Sequence, residues 1–330
     1  MNAAAPPELV AFGEALVRLT PPGYGVLEEA ASLDVTVAGA ELNAAVGVAR
    51  LGHGAAWLTR VPADALGRLV EGRARAAGVD TRLVERCSGG RQALMFLERG
   101  APPRPSRVSY DRAGSVFAEL DPEGIDWAST LRGARCFHTT AITVALSPAC
   151  RQAVADGLQA AQAAGCRTSF DLNLRTALIE PSELARAVAD LSPAIDVLIA
   201  SSADAGAVFE VGEDPAEAAA ELAEHLGIGR VAVSARVEAG ALQTRRSALF
   251  DNGETHLAES PGFATIDPLG GGDAFAAGMI HGLLSEDLAR GLEVGGALAA
   301  LKQTLPGDFA LVTPAEVESA LEGAGMGTRR

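Results

Sequence analysis

The 330-residue sequence predicts an α/β fold, a largely parallel sheet with helices on both faces accompanied by a smaller β-sheet. Three observations predict it. From about residue 134, short apolar strands alternate with amphipathic helices over short links, which is typical of a parallel sheet. Earlier in the chain, strands over 93–97 and 107–110 flank a proline-rich loop and indicate a small separate sheet. Towards the carboxyl end, three consecutive glycines open an apolar helix.

The first part of the chain predicts two strands and a helix before the main alternation begins. A strand over 10–19 is interrupted at Gly13, and a half-exposed strand follows over 33–37. Small residues over 43–51 predict a helix in which Asn43 projects from the first turn, either as a helix cap or toward a ligand. The same part also contains a buried strand over 55–61 and an amphipathic helix over 64–77.

In the second half, polar residues follow the apolar strands. A strand over 168–172 leads into Asp171-Leu-Asn173-Leu-Arg175, and a strand over 197–200 leads into Ser201-Ser202. Because ligands of open α/β sheets bind beyond the carboxyl ends of the strands, these residues predict a site there. The remaining predicted elements are strands over 136–139 and 231–233, helices over 148–164, 214–226 and 287–305, and a final helix opened by a Thr313–Glu316 capping box.

Composition argues against several classes of function. The formal net charge of −15 disfavours nucleic acid and anionic membrane as partners, since both attract basic faces. No apolar run approaches the roughly 18 residues of a membrane helix, and residues 1–8 lack the segments of a secretion signal. The four cysteines form no CxxC pair, so we expect reduced thiols, no zinc site and a cytoplasmic protein. They are Cys87, Cys136, Cys150 and Cys166.

The glycine stretch predicts an anion-binding helix start next to a catalytic acid. Gly270, Gly271 and Gly272 precede an apolar helix, whose first amides lack partners inside the helix and attract an anion. Asp273 follows at once, where a carboxylate beside phosphate fits the task of taking a proton from an attacking hydroxyl. The residues alone leave open a simple glycine turn with an acidic first helical turn. A P-loop is excluded, because the only lysine is Lys302 and no GxxxxGK occurs.

Several motifs together resemble those of the PfkB (ribokinase-like) carbohydrate kinases, and most closely the 2-keto-3-deoxygluconate (KDG) kinases within that family. The similarity extends over residues 10–321. The glycine stretch is specific to the family, whereas 102–115 and 300–308 point to the KDG kinases. The motifs are Gly39-Ala-Glu-Leu-Asn43, Pro102-Pro-Arg-Pro-Ser-Arg-Val-Ser-Tyr110-Asp-Arg112, Asp171-Leu-Asn173-Leu-Arg175, Asp267-Pro-Leu-Gly-Gly-Gly-Asp273 and Lys302-Gln-Thr-Leu-Pro-Gly-Asp308.

The resemblance implies a ribokinase-like, Rossmann-type three-layer α/β/α sandwich with a small β-sheet lid. Residues 1–330 would form a single kinase domain, with the lid contributed by about 14–37 and 92–112. The implied reaction transfers the γ-phosphate of ATP to the terminal (C6) hydroxyl of KDG. Mg²⁺ would accompany the ATP phosphates, with room for a monovalent cation as a further cofactor. The family also implies a homo-oligomer, a dimer or larger.

The same resemblance assigns roles to single residues. Asp273 would be the catalytic base, and Arg175 would reach the substrate or the transferring phosphate. Arg112 would contact the carboxylate or keto oxygen of the sugar acid. The anion hole would consist of Gly270, Gly271 and Gly272, and the other sugar contacts of Gly39, Asn43 and Tyr110. The implied nucleotide contacts are Ser201, Ser234, Gly270, Gly272 and Lys302.

Two stretches depart from the family pattern. Many members carry Asn-x-x-Glu near the metal, but this chain has Ser201-Ser-Ala-Asp204, so Asp204 would reach the metal only through water. The usual Lys-x-Gly-x-x-Gly nucleotide loop is missing, and we expect an altered loop over 234–247. This departure affects two expectations, the position of the purine and ATP as the only phosphate donor.

Other functions stay open at the level of the sequence. A neutral-sugar kinase of the same family, such as a fructokinase, would not need Arg112, and a 5-keto-2-deoxygluconate kinase is a further rival. A nucleoside kinase would need more aromatic residues for base stacking than two tyrosines and two tryptophans. A non-catalytic sugar-binding relative would suit the altered loop but not Asp273. A dinucleotide-dependent dehydrogenase would need GxGxxG after the first strand, which Gly52 and Gly54 do not provide.

Overall fold

The computed structural model describes residues 5–240 and 242–323. The strands are β1 (Leu9–Phe12), β2 (Leu16–Thr20), β3 (Asp34–Ala38), β4 (Ala55–Pro62), β5 (Val84–Cys87), β6 (Ala93–Glu98), β7 (Arg107–Asp111), β8 (Cys136–Thr140), β9 (Arg167–Asp171), β10 (Val197–Ser201), β11 (Arg230–Ala239), β12 (Leu242–Asp251) and β13 (Glu254–Glu259). The helices are α1 (Ala40–Arg50), α2 (Ala65–Ala76), α3 (Trp127–Thr130), α4 (Ala141–Leu146), α5 (Pro148–Ala163), α6 (Pro181–Leu191), α7 (Ser202–Phe209), α8 (Pro215–Leu226), α9 (Gly271–Leu284), α10 (Leu288–Gln303) and α11 (Pro314–Leu321).

The larger sheet has the strand order β13-β12-β11-β10-β9-β8-β1-β4-β5. Neighbouring strands from β5 to β11 run parallel, and β12 and β13 are added antiparallel at one edge. The chain winds from β1 towards β5 on one side and from β8 towards β13 on the other. The point between β1 and β8 is where open α/β sheets bind their ligands, beyond the carboxyl ends of the strands.

Helices cover both faces of this sheet, so the molecule has three layers. Alternate residues of β1 belong to two different apolar cores, Leu9 and Ala11 to one and Val10 and Phe12 to the other. Residues of α1, α2, α9, α10 and α11 complete the first core, and residues of α4 to α8 complete the second. The predicted α/β/α class is therefore confirmed.

A smaller sheet has the strand order β3-β2-β6-β7. The single strand expected over 10–19 is wrong, because β1 belongs to the large sheet and β2 to the small one. The chain bends between them at Gly13, where a Cβ would lie 2.1 Å from the carboxyl carbon of Glu41. A buried glutamate side chain thus occupies the space that a continuous strand with side chains would need.

The position of α9 depends on glycines that let α10 approach its backbone. A Cβ on Gly278 would lie 2.2 Å from the Cα of Gly295, and a Cβ on Gly282 would lie 2.6 Å from the Cα of Gly291. Any side chain at these four positions would push the two helices apart. The pair is packed in the first core, which fixes where the amino end of α9 points.

The expectation of an altered loop over 234–247 is wrong. The strand predicted over 231–233 continues to Ala239, and β12 returns beside it in an antiparallel ladder that joins Ser234 to Ser247. The elements β5, β12, β13, α3, α4, α6 and α7 have no counterpart among the predicted ones. Across the two described ranges, every helix falls short of the length and hydropathy needed to span a bilayer.

Candidate active site

The glycine stretch forms the start of α9. Gly270 is the N-cap with φ 78°, a left-handed conformation that favours glycine, and a Cβ there would lie 2.1 Å from the carbonyl oxygen of Asp308. A Cβ on Gly272 would meet no atom within 4 Å, so that side of the helix start is open. The amide of Ala274 donates to the Gly270 carbonyl at 2.9 Å. The amides of the first turn before it have no acceptor within the helix and suit an anion.

Asp273 is buried in this first turn, and side-chain amides hold both of its carboxylate oxygens. Asn43 donates from Nδ2 to Oδ2 at 2.6 Å, and Asn173 donates from Nδ2 to Oδ1 at 3.3 Å. Asn43 lies inside α1, whose N-cap is Gly39, so it is not a helix cap. Its Oδ1 is buried without a hydrogen-bond partner in the described part of the chain. The carboxylate is therefore fixed in orientation, and one amide oxygen beside it can accept a ligand hydroxyl.

Two further carboxyl groups, those of Asp171 and Glu41, lie close enough to Asp273 for its charge to raise their pKa. Burial raises the pKa of Asp171, at the end of β9, to about 8, and the nearby Asp273 charge adds to this effect. Burial likewise raises the pKa of Glu41 to about 7, although Thr140 and Thr143 donate to its Oε1. Burial also raises the pKa of Asp273, against the opposing effects of Asn43 and a neighbouring cation. Positive charge from a ligand or a cation would lower these pKa values.

Arg175 provides a cation at this place. Its positive charge acts to lower the pKa of Asp273 and of Asp204, whose own pKa is raised by burial. Its Nη1 donates to the carbonyl oxygen of Leu174 at 2.9 Å, and the side chain is half-buried. In the described ranges no carboxylate lies within ion-pairing distance of its guanidinium, in contrast to Arg18 and Arg112. A planar guanidinium without a carboxylate partner is suited to binding a phosphoryl group.

The lid residues lie around a buried ion pair. Arg112 donates to Oε2 of Glu14 from Nε at 2.9 Å and from Nη2 at 2.5 Å, and Ser115 donates to the other carboxylate oxygen. The Arg112 guanidinium lies 5.6 Å from the ring centroid of Tyr110, which is itself exposed. Gly39 packs nearby, since a Cβ there would lie 2.6 Å from the Glu14 carbonyl oxygen. The sequence predicted Arg112 without its partner Glu14.

Lys302 lies behind the anion hole within a balanced cluster of charges. Arg18 of β2 bridges Asp267 and Asp308 at 2.5 Å each. The Lys302 side chain is fully buried, its Nζ donates to the carbonyl oxygens of Asp267 and Leu305, and its Cε would be 3.0 Å from a Cβ on the neighbouring Gly270. Burial raises the pKa of Asp308 to about 6 and lowers that of Lys302. This lysine therefore contacts the loop of the anion hole rather than open space.

The two serines predicted to contact the nucleotide, Ser201 and Ser234, lie side by side on the neighbouring strands β10 and β11. Ser201 ends β10 and caps α7, accepting from the amide of Asp204 at 3.0 Å. Ser234 is its register partner on β11 and is buried, and its hydroxyl accepts from Nη1 of Arg245 at 2.8 Å. Both lie at the carboxyl end of the parallel pairing between β10 and β11, on the side of Asp171 away from β1, the strand that leads into the small sheet.

A comparison with family models adds the deciding observation, because the model of the pfkB family carbohydrate kinases matches residues 6–313. The chain belongs to this family of carbohydrate kinases. The kinase is 40% identical over 326 residues to a 2-dehydro-3-deoxygalactonokinase of Haloferax volcanii, covering 98% of this chain and 99% of the relative. It is 33% identical to a 2-dehydro-3-deoxygluconokinase of Thermoproteus tenax, covering 95% and 94%.

Solved structures agree with this membership. The crystal structure of a 2-dehydro-3-deoxygluconokinase from Thermotoga maritima superposes with a TM-score of 0.90 at 33% identity, covering 96% of this kinase and 99% of that chain. A pfkB carbohydrate kinase from Listeria grayi gives a TM-score of 0.87 at 30% identity. The kinase is thus an ATP-dependent carbohydrate kinase with the ribokinase-like fold.

The carboxyl groups near Arg175 suit Mg²⁺ as an ion whose other ligands are ATP phosphates and water. Mg²⁺ prefers oxygen ligands and keeps several waters, so one or two protein carboxylates beside the ATP phosphates are enough. Asp171 and Asp204 provide oxygens of this kind near Arg175. Nowhere in the described ranges do three His, Cys, Asp or Glu side chains converge as a metal site. The kinase therefore suits an ion that arrives with ATP rather than one held by the protein alone.

Sequence reasoning missed the residues that support the predicted ones. Asn173 and Glu41 stood inside quoted motifs, and their polar side chains after a strand or within a small-residue helix were the available signal. Glu14 had only the interruption of its strand as a signal. The Arg18–Asp267 contact joins residues 249 positions apart, and no local pattern announces it.

Proposed function

We propose that this kinase transfers the γ-phosphoryl group of ATP to the terminal C6 hydroxyl of a 2-keto-3-deoxy sugar acid, KDG or its galactonate epimer. The observation that carries the proposal is the Asp273 carboxylate, fixed by two amides at the glycine-rich start of α9. The names of the relatives support the acceptor, since two of them are a 2-dehydro-3-deoxygalactonokinase and a 2-dehydro-3-deoxygluconokinase.

In the proposed reaction Asp273 accepts the proton of the C6 hydroxyl. The C6 oxygen forms a bond to the γ-phosphorus, the bond from that phosphorus to the bridging oxygen of ADP breaks, and ADP leaves. Burial raises the pKa of Asp273, which makes it a better proton acceptor than an exposed aspartate. Asn43 and Asn173 keep both oxygens in place, so the base does not have to be reoriented during the reaction.

The charge on the transferring group would be stabilised by the open side of the helix start. The amides of Gly271 and Gly272 would donate to its oxygens, and Arg175 would approach from the end of β9. Donors of this kind, aimed at charge that develops in the transition state, are worth about 10² to 10³ in kcat each. Mg²⁺ bound to ATP would neutralise phosphate charge, with Asp171 and Asp204 as its contacts through water.

The acceptor would lie on the lid side. Arg112 is held by Glu14 through Nε and Nη2, which leaves Nη1 for the carboxylate or keto oxygen of the sugar acid. Tyr110 would cover the sugar, and the unpartnered Oδ1 of Asn43 and the close-packed Gly39 would face its hydroxyls. A monovalent cation is not part of this proposal, in which the Lys302 ammonium, bound to the carbonyl oxygens of Asp267 and Leu305, supplies the positive charge behind Gly270.

The test is an ADP-release assay with ATP and Mg²⁺ over a panel of acceptors. The panel contains KDG, its galactonate epimer, 5-keto-2-deoxygluconate, fructose, ribose and adenosine. We expect turnover with the two sugar acids to exceed that with fructose, ribose and adenosine by at least about tenfold. Fructose is the informative rival, because a fructokinase of Zea mays is 28% identical over 336 residues. Preference for fructose, or no turnover at all, would overturn the proposed acceptor.

The role of Arg112 is tested separately. Arg112→Ala should raise the KM for the sugar acid much more than the KM for ATP. Because this variant leaves Glu14 buried and unpaired, the double variant Arg112→Ala/Glu14→Gln guards against misfolding. Arg91→Ala removes an exposed arginine of the lid region and serves as the control. Equal effects on the two KM values would mean that Arg112 does not bind the sugar acid.

A further inference from the structure

Arg245 on β12 is a buried cation without an acidic partner. Three arginines in the described ranges are buried, namely Arg18, Arg112 and Arg245. Arg18 has Asp267 and Asp308, and Arg112 has Glu14. No carboxylate of the described ranges lies within 4.0 Å of the Arg245 guanidinium. A buried charge without a partner is costly, so its retention needs a reason.

The hydrogen bonds of Arg245 are also incomplete. Its Nη1 donates to the hydroxyl of Ser234 at 2.8 Å, whereas its Nε is buried and has no partner in the described part of the chain. Burial and then the charge of Arg236 lower the pKa of the guanidinium to about 10, so it remains protonated at neutral pH. The side chain therefore keeps both a full charge and an unused donor.

A second arginine lies directly opposite. In the antiparallel ladder of β11 and β12, Arg236 is the register partner of Arg245. Side chains of directly opposed residues point to the same face of a sheet, and like charges there destabilise the pair. Both residues lie beyond the carboxyl end of the parallel part of β11, which ends with the Ser201–Ser234 pair. An anion between the two guanidinium groups would relieve the repulsion and use the free donor.

The position in the sheet indicates which anion. The lid strand β2 continues from β1, which lies on the far side of β8 from β11 and β12 in the strand order. The acceptor side is therefore remote from Arg245. The field of Asp171, next to the anion hole, does reach Arg245. A chain of phosphates that begins at Gly272 and passes Asp171 would meet Ser234 and then this arginine.

We propose that Arg245, assisted by Arg236, binds the phosphates of the nucleotide that remain on ADP after transfer. The inference rests on the proposed function in one respect, that the donor is a nucleoside triphosphate. It assigns the phosphate contact to the β11–β12 hairpin in place of the lysine-bearing glycine loop that the chain lacks. Arg245 then lowers the stability of the folded protein but provides a preformed contact for the phosphates of the donor.

The experiment compares Arg245→Met with Arg246→Met. Arg246 is the next residue on the same strand, so its side chain points to the other face, where it is largely exposed near Glu259. Both variants lose one positive charge. Binding of ADP, inorganic tripolyphosphate and adenosine is titrated without sugar, and unfolding of the nucleotide-free proteins is followed by heating.

We expect Arg245→Met to weaken ADP and tripolyphosphate binding by about 10- to 100-fold, the loss of a hydrogen bond to a charged group. Adenosine binding should change less than about twofold, and the nucleotide-free Tm should stay equal or rise because an unpaired buried charge is gone. Arg246→Met should bind all three probes as the wild type does. Arg236→Met, at an exposed position, provides a second variant with a smaller expected loss for ADP.

Several results would overturn the inference. One is unchanged ADP affinity in Arg245→Met, and another is an equal loss for ADP and adenosine together with a lowered Tm, which a structural role would give. The result for nucleotide binding can be interpreted independently of which sugar the kinase phosphorylates. A wild type that phosphorylates no sugar acid yet loses ADP binding with Arg245→Met contradicts the proposed acceptor alone. Turnover of KDG by the wild type, together with unchanged affinity for ADP in Arg245→Met, contradicts this inference alone.

Discussion

At the scale of single residues, the proposed chemistry depends on how the Asp273 side chain is held. An aspartate in the first turn of a helix normally gains stability from the helix dipole, which lowers its affinity for a proton. Here burial works in the opposite direction and raises its pKa. The amides of Asn43 and Asn173 prefer the ionised form and fix both oxygens. The result is a carboxyl group in a fixed orientation whose burial favours uptake of a proton.

Asp273→Asn tests this directly. The variant keeps the shape of the side chain but cannot accept the proton, so we expect kcat to fall by about 10² to 10⁴. Binding of ATP and of the sugar acid should be largely retained, since neither requires proton transfer. Steady-state kinetics with KDG, together with titration of both ligands, measure the two effects. A variant with near-wild-type kcat would exclude Asp273 as the base.

Asp171 predicts a dependence of stability on pH. The pKa of Asp171 is about 8 in the folded protein, against an ordinary value of 3.8. Between these values the unfolded chain releases the proton while the folded protein keeps it, so the free energy of unfolding falls as pH rises. Asp171→Asn removes this contribution, and the slope between pH 5 and pH 8 should become shallower. Glu41, with a pKa of about 7, should keep part of the slope.

The control for this experiment is Asp190→Asn, because Asp190 is exposed on α6. Its curve of unfolding free energy against pH, obtained from urea denaturation, should match that of the wild type. Identical slopes for wild type and Asp171→Asn would show that burial does not hold the proton on Asp171.

At the scale of elements, local sequence signals account for most of the helices and strands that were predicted. The features that were missed depend on contacts between distant parts of the chain. The helix α11 carries the predicted capping box, and α2 and α5 begin within one residue of their predicted starts, capped by Asp64 and Ser147. The interruption at Gly13 of the strand predicted over 10–19 is visible in the sequence, but the division into strands of two different sheets and the proximity of Gly13 to the buried Glu41 are not. Such a contact joins distant parts of the chain and leaves no local pattern.

The strands β11, β12 and β13 show one wrong prediction and one signal in the sequence that was not used. Resemblance to the family directed attention to a missing glycine loop, whereas β-strand pairing continues through Ala239. The turn Asn252-Gly253 between β12 and β13, with φ 49° and 102°, is a strong hairpin signal that was available in the sequence. Among site residues, the motifs gave Asp273 and Arg175, but the partners Asn173 and Glu14 required the fold.

The start of α9 gives a prediction in which stability and activity separate. A Cβ on Gly272 meets no atom, so Gly272→Ala should fold normally and should gain about 0.5–1 kcal/mol from the better helix propensity of alanine. The same methyl group would enter the space of the transferring phosphoryl group. We expect kcat to fall on the order of 10², the value of a lost oxyanion contact. Thermal unfolding and kinetics with KDG measure the two effects.

Gly72→Ala is the matched control. Gly72 lies inside α2, and a Cβ there also meets no atom within 4 Å. It should raise the Tm in the same way and leave kcat unchanged. If Gly272→Ala retained full kcat, the open side of the helix start would not be the phosphate site.

At the scale of the whole molecule, a buried ion cluster joins the small sheet to the large domain. Arg18 belongs to β2 of the small sheet, while Asp267 and Asp308 flank the anion-hole loop before α9 and after α10. With Lys302 the cluster contains two positive and two negative groups. The position of the small sheet is thus linked to that of the glycine loop by charges that are shielded from solvent.

Arg18→Met should therefore affect both stability and catalysis. The variant leaves Asp267 and Asp308 buried with Lys302 alone, and we expect a loss of about 3–5 kcal/mol in the free energy of unfolding. Adding Asp308→Asn should restore part of this loss, because one uncompensated charge disappears, and the double-mutant cycle gives the coupling. Arg91→Met, which breaks the exposed pair with Asp111, should change little. Urea denaturation measures five proteins, namely the wild type, Arg18→Met, Asp308→Asn, the double variant and Arg91→Met. In addition, kcat should fall with Arg18→Met because the anion-hole loop loses its link to the lid. A loss no larger than that of Arg91→Met would mean that the two sheets are held together by apolar packing rather than by this cluster.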